Sequence, residues 1–140
     1  MVTPYMVLHG KGVATMDGGN CSNKTEVKTV MKVIEVLREM VGQKPTFGVI
    51  TFYAKQKQLL SLEVQTRKLE NVVVNTVDGF QGSERDVIII SCVRGGPGGI
   101  GFLQDRQRLN VALTRAKYNL IVIGNMETLE VRLLDLVNTS

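Results

Sequence analysis

Short continuous apolar runs separated by helical patterns predict an α/β domain with a mostly parallel, doubly wound sheet. Three observations carry this. The runs "TFGVITF" (Thr46 to Phe52), "VVVNTV" (Val72 to Val77), "VIIISCV" (Val87 to Val93) and "NLIVIGN" (Asn119 to Asn125) do not alternate with polar residues, as befits strands buried on both faces. Between most of them lie longer stretches with helical character. Polar stretches follow Phe52, Val77 and Val93, at the carboxyl ends of strands, where open α/β sheets bind ligands.

Residues 1–22 read as a partly irregular N-terminal segment, and 23–140 as the domain. In "NKTEVKTVMKVIEVLREMVG", Val27, Val30, Met31, Ile34, Leu37 and Val41 follow the three-four spacing of an amphipathic helix. Asn23 with Glu26 forms a capping-box variant, and Gly42 supplies the stop. The first strand follows Pro45, and "YAKQKQLLSLEVQTRKL" reads as a second helix. The next strand ends in the loop "DGFQGSERD", and the one after it in "GGPGG" (Gly95 to Gly99), which neither helix nor strand tolerates. A helix around Arg106 to Thr114, the strand "NLIVIGN" and a helix of about Glu127 to Val137 close the chain.

With 140 residues, 44% of them hydrophobic and 21% charged, the composition is that of one globular domain. The apolar runs are too short to span a membrane, and "MVTPYMVLHGKG" lacks the pattern of a signal peptide. Cys21 and Cys92 have no metal-ligand spacing and are expected to be reduced thiols inside a cell. The sequons at Asn20, Asn23 and Asn138 are then chance matches. A net charge of +4 leans mildly toward a polyanionic partner.

Three polar clusters interrupt the pattern. They are "ITFYAKQKQ" with Tyr53, Gln56 and Lys57; "TVDGFQGSERD", rich in hydrogen-bonding groups; and "RLNVALTRAKYNLIVIGN", with Arg115 and Lys117 set before an apolar run. Each also has a bland reading. Tyr53 suits a half-buried ring at a strand end, Asp78-Gly79 a tight turn, and Arg108 and Arg115 an exposed helix face.

The residues nevertheless carry a resemblance. "VNTVDGFQGSERDVIIISCVRG" followed by "GIGFLQDRQRLNVALTRAKYNLIVIGN" resembles motifs V and VI of superfamily 1 helicases. The similarity is to the branch of the nonsense-mediated-decay RNA helicase, senataxin and the immunoglobulin mu-binding helicase. "GVITFYAKQKQLL" is similar to motif IV, with Phe52 in place of the usual proline, and "SNKTEV" loosely resembles a region upstream of it. The matches fall in order from Asn23 to Asn125.

This resemblance implies a three-layer RecA-like, P-loop-NTPase-like fold, with 23–140 as the second RecA-like domain of a two-domain motor. ATP and Mg2+ would be held mainly by a first RecA-like domain, whose phosphate-binding loop has no match here. Met1 is then expected to be a fragment start, and the chain alone to be inactive. Arg115 would be the catalytic finger on the γ-phosphate, and Glu84, the second catalytic candidate, would approach the ribose or a water. Gly82, Tyr53, Gln56 and Lys57 would complete the nucleotide contacts. Lys57 stands where relatives carry arginine, which keeps the charge without the planar fork. Thr51, Thr76, Asp78, Gln81 and Arg94 would face single-stranded nucleic acid. The resemblance further implies a monomer in the nucleus or cytoplasm, without a membrane partner.

Two other classes stand beside this one. A catalytically silent RecA-like module binding nucleic acid or protein has no need of Arg115 and Glu84. An unrelated α/β hydrolase would need a phosphate loop, a nucleophile elbow or a histidine-based pair, and His9 is the only histidine.

Overall fold

The apolar runs are the strands of one sheet. The computed structural model describes residues 5–9, 15–17, 20–42, 44–80, 84–93 and 116–124. Five strands, β1 (Tyr5–His9), β4 (Phe47–Thr51), β5 (Val72–Thr76), β6 (Arg85–Ser91) and β7 (Ala116–Gly124), pair in the order β1-β7-β6-β4-β5. Every pairing among them is parallel. A separate antiparallel pair joins β2 (Thr15–Asp17) to β3 (Asn20–Ser22). The predicted α/β class and parallel sheet are therefore present.

Helix α1 (Lys24–Val41) starts where its caps put it. The Asn23 side chain accepts the Glu26 amide at 3.0 Å, satisfying one of the donors that a helix start leaves open. Val27, Val30, Met31 and Ile34 are buried along one face. At the other end Gly42 has φ +86°, a conformation that side chains disfavour, and its amide returns to the Arg38 carbonyl. Helix α2 (Ala54–Thr66) follows β4 after two residues.

The central strands β4, β6 and β7 are buried on both faces. α1 and α2 cover one, where Val30, Met31, Ile34 and Leu60 meet Phe47, Val49, Ile89, Ile121 and Ile123. On the other face Ile50, Ile88, Ile90 and Val122 pack with Val77 and Phe80. Burial on two faces is the physical reason for uninterrupted apolar runs.

Three boundaries differ from the pattern. β6 begins at Arg85 and ends at Ser91, two residues earlier than the run Val87 to Val93. The hydrophilic pair Arg85-Asp86 is part of the strand because Asp86 accepts the amide of Thr46 at 2.9 Å, holding β6 against the start of β4. β7 likewise starts at Ala116, which pairs with Arg85 across a register shift. Residues 5–9, within the segment read as partly irregular, form β1, parallel to the distant β7. The expected helices at Arg106 to Thr114 and Glu127 to Val137, and the loop at Gly95 to Gly99, lie outside the described residues.

Candidate functional site

In a parallel sheet all carboxyl ends share one edge. Here that edge is built on a buried polar network rather than on apolar packing. Ser22, Asn23, Glu26, Gln56 and Ser91 are all buried there, with Gln56 and Ser91 at 0% exposure. The Gln56 carbonyl oxygen accepts the Asn23 amide at 2.9 Å. Its Nε2 donates to the Asn23 carbonyl at 3.2 Å and to Ser91 Oγ at 3.1 Å. Ser91 Oγ donates in turn to Glu26 Oε1, which also receives the Val93 amide at 2.8 Å. The start of α1, the first turns of α2 and the end of β6 are thereby tied together. Burial raises the Glu26 carboxyl above the ordinary glutamate range, while the Ser91 hydroxyl and the Val93 and Cys92 amides pull it partly back. Burial, with the Glu26 charge nearby, also pushes the Cys92 thiol well up, so this free cysteine is a poor nucleophile.

The sequence-derived candidates fall around this edge in different ways. Gln56, expected at the nucleotide, is instead wholly enclosed, with its carbonyl and both amide hydrogens used internally. It ties two helices and a strand together. Tyr53 and Lys57 are half-buried at the start of α2, and Lys57 lines an open groove with Ala54, Gln58, Ser61, Leu62 and Gln65. Thr51, expected at nucleic acid, ends β4 fully buried, and its hydroxyl has no hydrogen-bond partner among the described residues. Thr76 ends β5 half-buried, its Oγ1 accepting the Gly79 amide at 3.4 Å. Asp78 opens the short 3-10 turn Asp78–Phe80.

That turn leads away from the carboxyl edge. Phe80 is buried over β4, and Gly48 is what makes room: a Cβ there would collide with the Phe80 ring and lie 2.8 Å from Ile88 Cδ1. The next described candidate, exposed Glu84, directly precedes Arg85 at the amino end of β6. Arg85 is paired with Ala116, the residue that follows Arg115. Glu84 therefore lies at the opposite edge from Tyr53, Gln56 and Lys57. The seven residues of β6, at about 3.3 Å each, separate the two edges by roughly 20 Å.

Gln81, Gly82, Arg94 and Arg115 lie outside the described residues. Among the described residues no group of three or more His, Cys, Asp or Glu is placed to hold a metal ion, and no helix is long and apolar enough to cross a membrane. The pattern had missed the network. Asn23 and Glu26 read as a helix cap within a loose upstream match, and Ser91 is one polar residue inside an apolar run. Their signal was the Asn-x-x-Glu spacing within "SNKTEV".

A family model described as "AAA domain" matches residues 2–127. The chain belongs to the AAA domain family. This AAA domain is 41% identical over 133 residues to the probable helicase senataxin of Mus musculus, covering 90% of this chain and 5% of that protein. It is 42% identical over 135 residues to regulator of nonsense transcripts 1 of Caenorhabditis elegans, covering 90% of this chain and 13% of that one. With the DNA polymerase alpha-associated DNA helicase A of Saccharomyces cerevisiae the identity is 42% over 114 residues, 80% of this chain and 17% of the relative. The AAA domain thus spans a small part of the curated relatives it matches, which agree with the superfamily 1 helicase branch implied by motifs V and VI. The solved C-terminal domain of a possible DNA helicase from Lactobacillus plantarum WCFS1 matches with a TM-score of 0.58 at 14% identity, over 88% of this chain and 73% of that one. At that identity the likeness is one of fold.

Proposed function

We propose that the chain is the second motor domain of an ATP-dependent RNA or DNA helicase, with its two ligands at opposite edges of the sheet. The observation that carries this reading is the course of motif V. It leaves β5 at the carboxyl edge, seats Phe80 over Gly48, and reaches Glu84 at the amino edge. One segment thus connects the two edges.

In this reading the amino edge faces ATP, held with Mg2+ mainly by a first RecA-like domain of the same protein. Glu84 and Gly82 approach the nucleotide, and Arg115 supplies the finger. A guanidinium there offsets the negative charge that builds on the transferring phosphoryl group, an effect worth roughly 10³ to 10⁵ in rate. The carboxyl edge faces single-stranded nucleic acid. Thr76, Asp78, Gln81 and Arg94 are its contacts, with Thr51 behind them. Hydroxyl and amide contacts of this kind grip the phosphate backbone without reading sequence. Tyr53 and Lys57 move to this group, because their edge is remote from Glu84: the ring offers a stacking face and the ammonium a phosphate partner. Gln56 acts only by holding the edge in shape. The protein works as a monomer in the nucleus or cytoplasm.

The test is Arg115→Ala in the full-length protein. Nucleic-acid-stimulated ATP hydrolysis should fall by about 10³ or more while ATP binding persists. Hydrolysis near the wild-type rate would refute the finger. The 140-residue chain alone should show no ATPase activity.

A further inference from the structure

Helix α2 carries apolar residues in two directions. Leu60 points into the core at 0% exposure, while Leu62, two residues on, stands 61% exposed. At 3.6 residues per turn the two lie about 200° apart around the helix, so Leu62 faces away from the sheet. A single exposed leucine is ordinary. This one lines a groove of about 190 Å³ between α1 and α2, together with Lys24, Val27, Lys28, Leu59 and Glu63. Val27 and Leu59 belong to the apolar cluster beneath it. The charges around the groove are not balanced within the domain. Glu63 accepts from Arg67 at 3.1 Å, and Arg67 also bridges Glu35. Lys24 and Lys28 are exposed, and neither has an ion-pair partner among the described residues. They stand one turn apart at the start of α1, with Lys24 its first residue. A cation is unfavourable at the positive end of a helix, and like charges four residues apart repel. The fold gains nothing from this pair, whereas an anion seated there relieves both effects.

We infer that this groove docks an acidic amphipathic helix of a partner protein. One leucine-sized side chain of that helix fills the groove against Val27, Leu59 and Leu62, and two carboxylates four residues apart meet Lys24 and Lys28. Four residues of helix rise about 6 Å, so one turn of the partner matches one turn of α1. The mode is that of a helix laying its apolar face into a groove. The volume lies below the roughly 300 to 1,000 Å³ of small-molecule sites, which suits one anchoring side chain rather than a cofactor. Nucleic acid fits less well. The lining has no aromatic ring on which bases stack, and phosphates make no use of an apolar floor. The inference does not depend on which sheet edge meets which ligand.

The experiment uses the full-length protein and, as probe, a fluorescein-labelled helical peptide with glutamates at positions i and i+4 and a leucine at i+3, read by anisotropy. Leu62→Asp removes the apolar wall, and Lys24→Glu combined with Lys28→Glu reverses the rim. Each is expected to raise the peptide Kd by about tenfold or more. Replacing the leucine of the peptide by serine should weaken binding to a similar degree. All three protein side chains are exposed, so the melting temperature should hold in both variants, and Lys24→Glu alone should raise it slightly by suiting the helix end. Basal and nucleic-acid-stimulated ATP hydrolysis should stay at the wild-type level. A wild-type protein that does not bind the peptide, or variants that bind it equally well, would overturn the inference. Two further results would do the same. If the lysine variant loses affinity for a labelled single-stranded oligonucleotide but not for the peptide, the occupant is nucleic acid. If the wild type self-associates and Leu62→Asp does not, the occupant is a second copy.

Discussion

The two edges of the sheet are built on opposite principles. At the carboxyl edge, buried polar groups from α1, α2 and β6 satisfy one another in a closed network. At the amino edge the described polar groups are fewer and separate: Thr46 pairs with Asp86, buried Arg38 donates to the Glu70 carbonyl over the Phe47 ring, and Glu84 is exposed. Preorganisation suits an edge that grips a long polymer repeatedly. An edge that completes another domain's site only needs its charged groups within reach. The contrast teaches that motifs adjacent along the chain can lie at different ends of the same strands, which under the proposed function is how they would serve two ligands.

The sharpest way to break the contrast is Gln56→Ala. It leaves the buried Asn23 amide without its acceptor and opens a void, and should cost about 3 kcal/mol or more in unfolding experiments. A cost near zero would mean that water replaces the amide and that the edge is not preorganised. Gly48→Ala strikes the crossing between the edges. The new methyl must displace the Phe80 ring, for a loss of about 1–3 kcal/mol and an uncoupling of nucleic-acid binding from hydrolysis.

A smaller effect is expected from pH. The folded chain holds the Glu26 proton more tightly than the unfolded chain does, so the charge of Glu26 costs stability as pH rises from the ordinary glutamate range through its raised value. Glu26→Gln has no such titration. Its stability relative to wild type should increase across that window and level off above it, as read from unfolding at a series of pH values. The least effect belongs to Arg67→Ala. Arg67 bridges Glu35 at 2.6 Å and Glu63 at 3.1 Å, but the cluster is solvent-exposed, so the melting temperature should not move measurably.

Much of the fold was legible because its causes are local. Apolar runs mark strands buried on both faces, and α1 announces itself through Asn23, Gly42 and its three-four spacing. β1 was not legible, since "YMVLH" is short and its partner β7 lies more than a hundred residues away. The candidate site was legible as a set of motifs but not as a geometry. A glutamine one turn into a helix usually faces water. Gln56 does not, because the capping backbone of another helix supplies partners that no local pattern reveals. The division of Tyr53 and Lys57 from Glu84 was hidden for a similar reason. Motif order along a chain says nothing about which end of a strand each motif occupies.

β5 stands at one end of the strand order, and "VVVNT" is rich in strand-forming valine with no charge to discourage a neighbour. Its residues are half-buried rather than buried. A strand of this kind offers a template for pairing with another chain, and its length of five residues is the restraint on that tendency. Among the described strands, the one that carries motif V away from the sheet is therefore also an end at which pairing with another chain could start. A lysine introduced along this edge is the natural remedy for handling the domain.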